Sequence, residues 1–147
     1  LGSCDVPREA VVCETPTIKE AARQLHAYLA GGLKEFSLAL APKGTIFQLR
    51  VWEKLRDIPY GRTVSYKDVA VAVDNERAVR AVGSANNRNP IPIIIPCHRV
   101  VGSDGRLVGY GAGLGLKQWL LELEGISVVR GTVLGGVGSA PDERTSI

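Results

Sequence analysis

Three prolines within seven residues, Pro90, Pro92 and Pro96, bracket the aliphatic run Ile93, Ile94 and Ile95 and forbid a helix across it. The run is therefore expected to be a buried strand, entered through a stretch stiffened by Asn89, Pro90 and Pro92, that delivers Cys97 at its end. The segment continues as Cys97, His98, Arg99 and Val100, and nowhere else does the chain concentrate chemistry so tightly. A free thiol, with a reference pKa of about 8.5, needs a neighbouring base or cation to act as a nucleophile near neutral pH. His98 and Arg99 supply such neighbours. The competing reading makes Cys97 a small core residue, because unpaired cysteine is among the most buried types.

The 147 residues, 45% of them hydrophobic, suffice for one ordinary core or for two small lobes. No stretch approaches the roughly 18 uninterrupted apolar residues of a membrane span, and the opening LGSCDVPRE lacks the basic and apolar regions of a secretory signal. An intracellular protein is expected, with no membrane partner. The cysteines number three, Cys4, Cys13 and Cys97, an odd count without zinc-finger spacing that suits a reducing compartment, although a Cys4 to Cys13 disulfide stays open. A net charge of +3 leans toward polyanionic partners without selecting one. The chain contains no methionine, even at position 1, so further residues are expected before Leu1.

Residues 1–16 show no clean periodicity. Thr17 and Glu20 form a capping-box pattern ahead of Ile18, Ala21, Ala22, Leu25 and Leu29 at helical spacing, and Gly31 and Gly32 stop that helix. His26 within it reads either as a metal ligand with Cys4 and Cys13 or as a solvated helix histidine. Ala41 to Gly44 reads as a linker, after which Thr45 opens an amphipathic helix carrying Phe47, Val51, Trp52 and Leu55. Ile58 to Arg62 is a turn. Ser65 and Asp68 make another capping box before Val69, Ala70, Val71 and Val73, with Asp74 and Asn75 as breakers.

A second helix is expected from about Glu76 to Asn86, which makes the pair a candidate helix-turn-helix. Arg77, Arg80, Ala81, Gly83, Ser84, Ala85, Asn86 and Asn87 combine cations and amides with small residues. Such a helix could lie close in a narrow groove, or pack tightly on a neighbouring helix through the same small residues. Gly102 to Gly113 reads as a glycine-rich loop around Tyr110, Leu114 to Glu124 as a helix capped by Gly125, and everything after Val129 as a mobile tail.

Taken in order, IPYGRTVSYKDVA, RAVGSANNRNPIPIIIPCHRV, GYGAG and LLELEG closely resemble the O6-alkylguanine-DNA alkyltransferases, also called methylated-DNA–protein-cysteine methyltransferases. The resemblance spans roughly Gly44 to Gly125. It implies an α+β architecture: a small N-terminal α/β lobe of ribonuclease H-like type, shortened here, then a mostly helical C-terminal lobe with a winged-helix or helix-turn-helix and the active-site cysteine. The corresponding division is 1–42, 43–129 and a tail over 130–147. The implied activity is repair of guanine alkylated on O6, by irreversible single-turnover transfer of the alkyl group to the protein's own cysteine.

By that resemblance Cys97 is the acceptor, His98 the base acting through a bridging water, Glu124 the carboxylate that orients it, and Tyr66 the hydroxyl that serves guanine N3. Asn89 matches a hinge beside the active-site strand. Arg80 matches the arginine that enters the base stack when the target is flipped out, and Ala78, Ala81, Gly83 and Ser84 belong to the helix that would approach the minor groove. Pro92, Val100, Tyr110 and Gly111 correspond to substrate-pocket and loop positions, with Gly111 and Ala112 smaller than the residues other members often carry.

No cofactor and no metal are implied, and the partner is double-stranded DNA bound by a monomer, in the nucleus of a eukaryote or the cytoplasm of a prokaryote. Two other classes are consistent with parts of this pattern. An alkyltransferase-like protein grips damaged guanine without chemistry, but that class replaces the acceptor cysteine that stands here at Cys97. A transcriptional regulator could use the same helix-turn-helix.

Overall fold

The computed structural model describes residues 8–135 and 137–138, which fall into two compact units divided between Ala39 and Leu40. The first unit holds one helix, α1 (Pro16–Leu29), and no strand among its described residues. The expected α/β, ribonuclease H-like lobe is thus absent from what is described. Residues 36–45 form no helix or strand.

The start and the buried face of α1 also differ from expectation. Thr15, not Thr17, caps it, accepting from Ile18 N at 3.2 Å, because Pro16 supplies a preset first-turn φ and has no N–H to lose. Glu20 instead pairs with Arg23 and Gln24. Ile18 is exposed, and the face turned inward is led by Gln24 and Tyr28. Gln24 can be buried because its amide closes a pair of hydrogen bonds with Ser37, and Tyr28 packs on Phe36. The glycine stop holds, with Gly31 at φ 78°.

The second unit begins with α2 (Ile46–Arg56), closed by a full capping box between Thr45 and Gln48. Val51, Trp52 and Leu55 face inward, and Trp52 Nε1 donates to the Ala85 carbonyl at 2.9 Å. Strand β1 (Val64–Ser65) leads directly into α3 (Tyr66–Ala72), whose Ser65 and Asp68 capping box forms as expected. Asp74, at φ 58°, ends it. Helix α4 is Val79–Asn87, three residues later than expected, because residues 76–77 form a turn and Ala78 caps without a side-chain bond.

No strand forms over Ile93 to Ile95. Pro92 and Ile95 close a turn as an isolated bridge, Ile93 takes φ 74°, and only Ile95 of the three isoleucines is buried. The prolines remove ladder donors, and the Asn89 side chain takes the bonds a ladder would have used, donating to Ile95 O at 2.7 Å and accepting from Ile91 N at 3.0 Å. Cys97 opens a single 3₁₀ turn, Cys97–Arg99, that runs into strand β2 (Val100–Val101), paired in parallel with β1. Helix α5 (Leu114–Leu123) follows the glycine-rich loop and ends with Glu124 as C-cap and Gly125 at φ 82°.

After Val129 the chain is not an irregular tail: β3 (Val128–Val129) and β4 (Thr132–Val133) form an antiparallel hairpin. The tight connection places Arg130 and Gly131 at φ 50° and 71°, which lets the strands meet. The tail expectation for the stretch SAPDERTSI lies outside the described residues, as does Cys4. One core joins α2, α3, α4, Ile95, Cys97 and Val100; a smaller one gathers Val101, Leu107, Leu121, Ile126 and Val133. No helix among the described residues is long and apolar enough to cross a membrane.

Candidate active site

Cys97 is 4% exposed at the start of its 3₁₀ turn, so its sulfur belongs to the core and to the site together. Burial pushes its pKa up; hydrogen bonding from Asn89, the charge of Lys117 and the Tyr110 hydroxyl pull the other way. The turn is anchored from α4, where the buried Asn86 donates through Nδ2 to the Cys97 carbonyl at 3.2 Å. Asn89, one residue beyond the C-cap of α4, fixes the loop that leads to the thiol.

The adjacent His98 has no exposed surface, and its Nε2 lies 2.8 Å from Glu124 Oε1 at the end of α5. Burial opposes ionisation of Glu124, but hydrogen bonds from His98 and Arg99 outweigh it and bring the pKa down to about 2. A carboxylate that stays ionised can only accept, so Nε2 carries the ring proton and Nδ1 keeps the basic lone pair. Burial also lowers the His98 pKa, which keeps the ring neutral and able to take a proton.

Arg99 does not face the thiol as its neighbour in sequence suggested. Its guanidinium turns to Glu124, at 2.9 Å and 3.0 Å, and to the Ile58 carbonyl, with Gly61 N adding a further donor to Glu124 at 3.1 Å. Alternate residues in a tight turn point to different sides, and the buried carboxylate is the stronger attraction. The cation that acts on Cys97 is Lys117 of α5, fully buried, donating to Val100 O at 2.5 Å and Val108 O at 2.9 Å. Desolvation lowers its pKa to about 8, so it remains mostly charged at neutral pH.

Tyr66 stands at the start of α3, and its hydroxyl donates to the carbonyls of Val108 and Gly109 at 2.9 Å and 3.2 Å. Burial, then the nearby Cys97 charge, push its pKa up to about 12. Lys117 Nζ lies 5.7 Å from the Tyr66 ring and 6.0 Å from the Tyr110 ring. Cys97, Tyr66, Asn89 and Tyr110 are thus brought together, with His98 and Glu124 adjoining.

The remaining expected residues are spread more widely. Arg80, Ala81 and Ser84 line the exposed side of α4, while Ala78 is its cap. Gly83 faces inward instead: a Cβ there would meet the Tyr66 ring at 4.0 Å. Val100 lies fully in the core and offers the site only its carbonyl, because pairing with Val64 turns the side chain inward. Pro92 and Gly111 are exposed. His26 is exposed too, and no cluster of His, Cys, Asp or Glu suited to a metal occurs among the described residues.

A family model described as "6-O-methylguanine DNA methyltransferase, DNA binding domain" matches residues 46–126, the stretch that contains this whole arrangement. The chain belongs to this methyltransferase family. The methylated-DNA–protein-cysteine methyltransferase of Methanosarcina barkeri is 62% identical over 72% of this chain and 67% of its own. OGT of Mycobacterium tuberculosis, solved in complex with DNA, superposes with a TM-score of 0.72 at 53% identity, covering 73% of this chain and 66% of its own. Atl1 of Schizosaccharomyces pombe, solved with DNA containing O6-carboxymethylguanine, is more distant, with a TM-score of 0.53 at 28% identity over 60% of this chain and 83% of its own. The chain spans about two thirds of the length of these methyltransferase relatives.

Two methyltransferase site residues escaped the sequence reading, Lys117 and Asn86. Both sit on the apolar faces of their helices, Lys117 with Leu120 and Leu121, Asn86 with Val82 and Ala85. A polar side chain in register with a buried face was the available signal.

Proposed function

We propose that this chain repairs O6-alkylguanine in DNA by moving the alkyl group irreversibly onto Cys97. The observation that carries the reading is the imidazole of His98, held through Nε2 by a buried ionised Glu124 and following directly on the thiol-bearing Cys97. His98 takes the thiol proton through a bridging water, and Lys117 holds the resulting thiolate electrostatically. Sulfur then attacks the alkyl carbon: the S–C bond forms as the C–O6 bond breaks, and the electron pair stays with guanine. Tyr66 donates to ring N3, which lowers the cost of guanine as a leaving group. No oxyanion hole is needed, because no carbonyl is attacked.

The target base has to leave the duplex to reach a thiol this deep, a few kcal/mol of unstacking. Helices α3 and α4 serve as the helix-turn-helix of a winged-helix module, with Ala81 and Ser84 admitting the backbone of the minor groove and Arg80 filling the vacated stack. Relatives solved with DNA support DNA as the partner. Retention of Cys97 speaks against a role limited to damage binding.

Incubation with a duplex containing O6-methylguanine is expected to add one methyl mass at Cys97, stoichiometrically and without turnover. Folded protein that binds this duplex and never gains the mass would overturn the proposal in favour of binding alone.

A further inference from the structure

Tyr60 has no part in the transfer as described, yet it packs on the group that competes with His98 for Glu124. Arg99 Nη2 lies 3.0 Å from Glu124 Oε1, the same oxygen that His98 Nε2 meets at 2.8 Å. One carboxylate oxygen thus serves both neighbours, and whatever holds Arg99 in place limits what Glu124 can give to the imidazole. The guanidinium is held by Glu124, by the Ile58 carbonyl and by the ring of Tyr60, whose centroid lies 5.8 Å from Cζ. That ring is half-buried, and its hydroxyl donates to the Leu123 carbonyl at 3.1 Å, which pins it to the residue before Glu124.

We infer that Tyr60 is a positioning residue for the transfer: its ring keeps the Arg99 fork on Glu124 and thereby leaves His98 a neutral base. The effect on rate rests on the transfer reading; the hold on Arg99 does not. An aromatic face toward a guanidinium offsets part of the cost of burying that cation. Without the ring, Arg99, whose side chain is 7% exposed while those of His98 and Glu124 are fully buried, can turn toward water. Burial, first of all, keeps the His98 ring neutral; among the charges around it Glu124 of α5 favours the imidazolium, whereas Arg99 of its own turn and Lys117 of α5 oppose it. Loosening Arg99 removes an opposing charge and frees the carboxylate for His98, so both changes raise the pH at which His98 takes up a proton. A protonated His98 cannot accept the thiol proton, and the acid limb of the transfer rate moves up with it.

The test places a series of side chains at position 60: phenylalanine, phenylalanine with one, two or three ring fluorines, and leucine. Fluorine drains the aromatic face with little change of shape, and every member lacks the hydroxyl, so along the aromatic series only the charge of the ring varies. The chain has two histidines, exposed His26 and buried His98, and NMR of labelled imidazoles follows each titration separately. Single-turnover methyl transfer to Cys97 is measured over the same pH range. The His98 midpoint is expected to climb stepwise with fluorination and to stand about half a pH unit higher in Tyr60→Leu than in Tyr60→Phe, roughly threefold in the protonation equilibrium. The acid limb of transfer should follow it, with His26 unmoved. A purely structural role would lower stability or rate and leave the midpoint where it is. A flat fluorine series overturns the inference even if Tyr60→Leu fails to fold, and so does a shift confined to Tyr60→Leu, which would be packing alone. Absence of transfer by the native chain would sink the transfer reading instead, with the His98 titration still deciding whether Tyr60 holds Arg99.

Discussion

Lys117, with no exposed surface, stays charged at neutral pH because its ammonium donates hydrogen bonds to the carbonyls of Val100 and Val108, and its pKa of about 8 measures the remaining cost. That cost has a sign. Between about pH 8 and 10.5 the unfolded chain binds a proton at this site that the folded chain has lost, so stability rises with pH across the window. Lys117→Met should abolish that rise. It should also slow transfer and shift the pH dependence of Cys97 alkylation by iodoacetamide to higher pH; exposed Cys13 makes peptide mapping necessary. An unshifted alkylation profile would remove Lys117 from the electrostatics of the thiol. Cys97 and His98 drew notice as neighbours in one short segment and Glu124 through the family resemblance, whereas a lysine or an asparagine on a helix reads by default as solvated. Only their register with Leu120, Leu121, Val82 and Ala85 betrays them.

The element that meets DNA in the proposed function is α4, and its exposed side is built from Arg80, Ala81 and Ser84. Ala81→Phe adds bulk where nothing packs, so folding stability should change by no more than about 0.5 kcal/mol. Duplex binding should nonetheless weaken by about tenfold or more, since a helix with a large side chain there cannot approach a groove about 6 Å wide. Arg80→Ala should instead lose more transfer activity on duplex than on free O6-methylguanine base, because only the duplex requires extrusion. Equal losses on both would argue against stack filling. The helices around this site were readable because capping is local: Ser65 with Asp68 and Gly125 after α5 act within one turn. The bend before Cys97 was not, because aliphatic composition gives no sign that Asn89 takes the bonds of Ile91 and Ile95 and carries Ile93 to φ 74°. A β-branched residue rarely adopts that conformation, so it takes the surrounding contacts to impose it.

At the scale of the second unit, Glu124 ties three separated stretches together: the 58–61 turn through Gly61 and Arg99, the 3₁₀ turn through His98, and the end of α5 on which it sits. Its folded pKa of about 2 lies below the ordinary 4.5, so the stability it contributes is complete above about pH 4.5 and is lost as pH falls toward 2. Glu124→Gln leaves Arg99 buried without its counter-charge, a loss of about 3–5 kcal/mol, and the acid limb of a denaturation series should flatten in the variant. The same packing bears on the spent protein. Cys97 lies in the main core with Ile95 and Val100, both fully buried, and a methyl on its sulfur has to displace that packing or strain it. Overpacking of this kind costs about 1–3 kcal/mol. A domain of this size loses several degrees of Tm for each kcal/mol, roughly 4–8 °C, so calorimetry before and after titration with methylated duplex should resolve the change once the DNA is removed. A benzyl group should lower Tm further than a methyl. Identical melting of the free and alkylated forms would mean that the sulfur has room beside it, and that alkylation leaves the core intact.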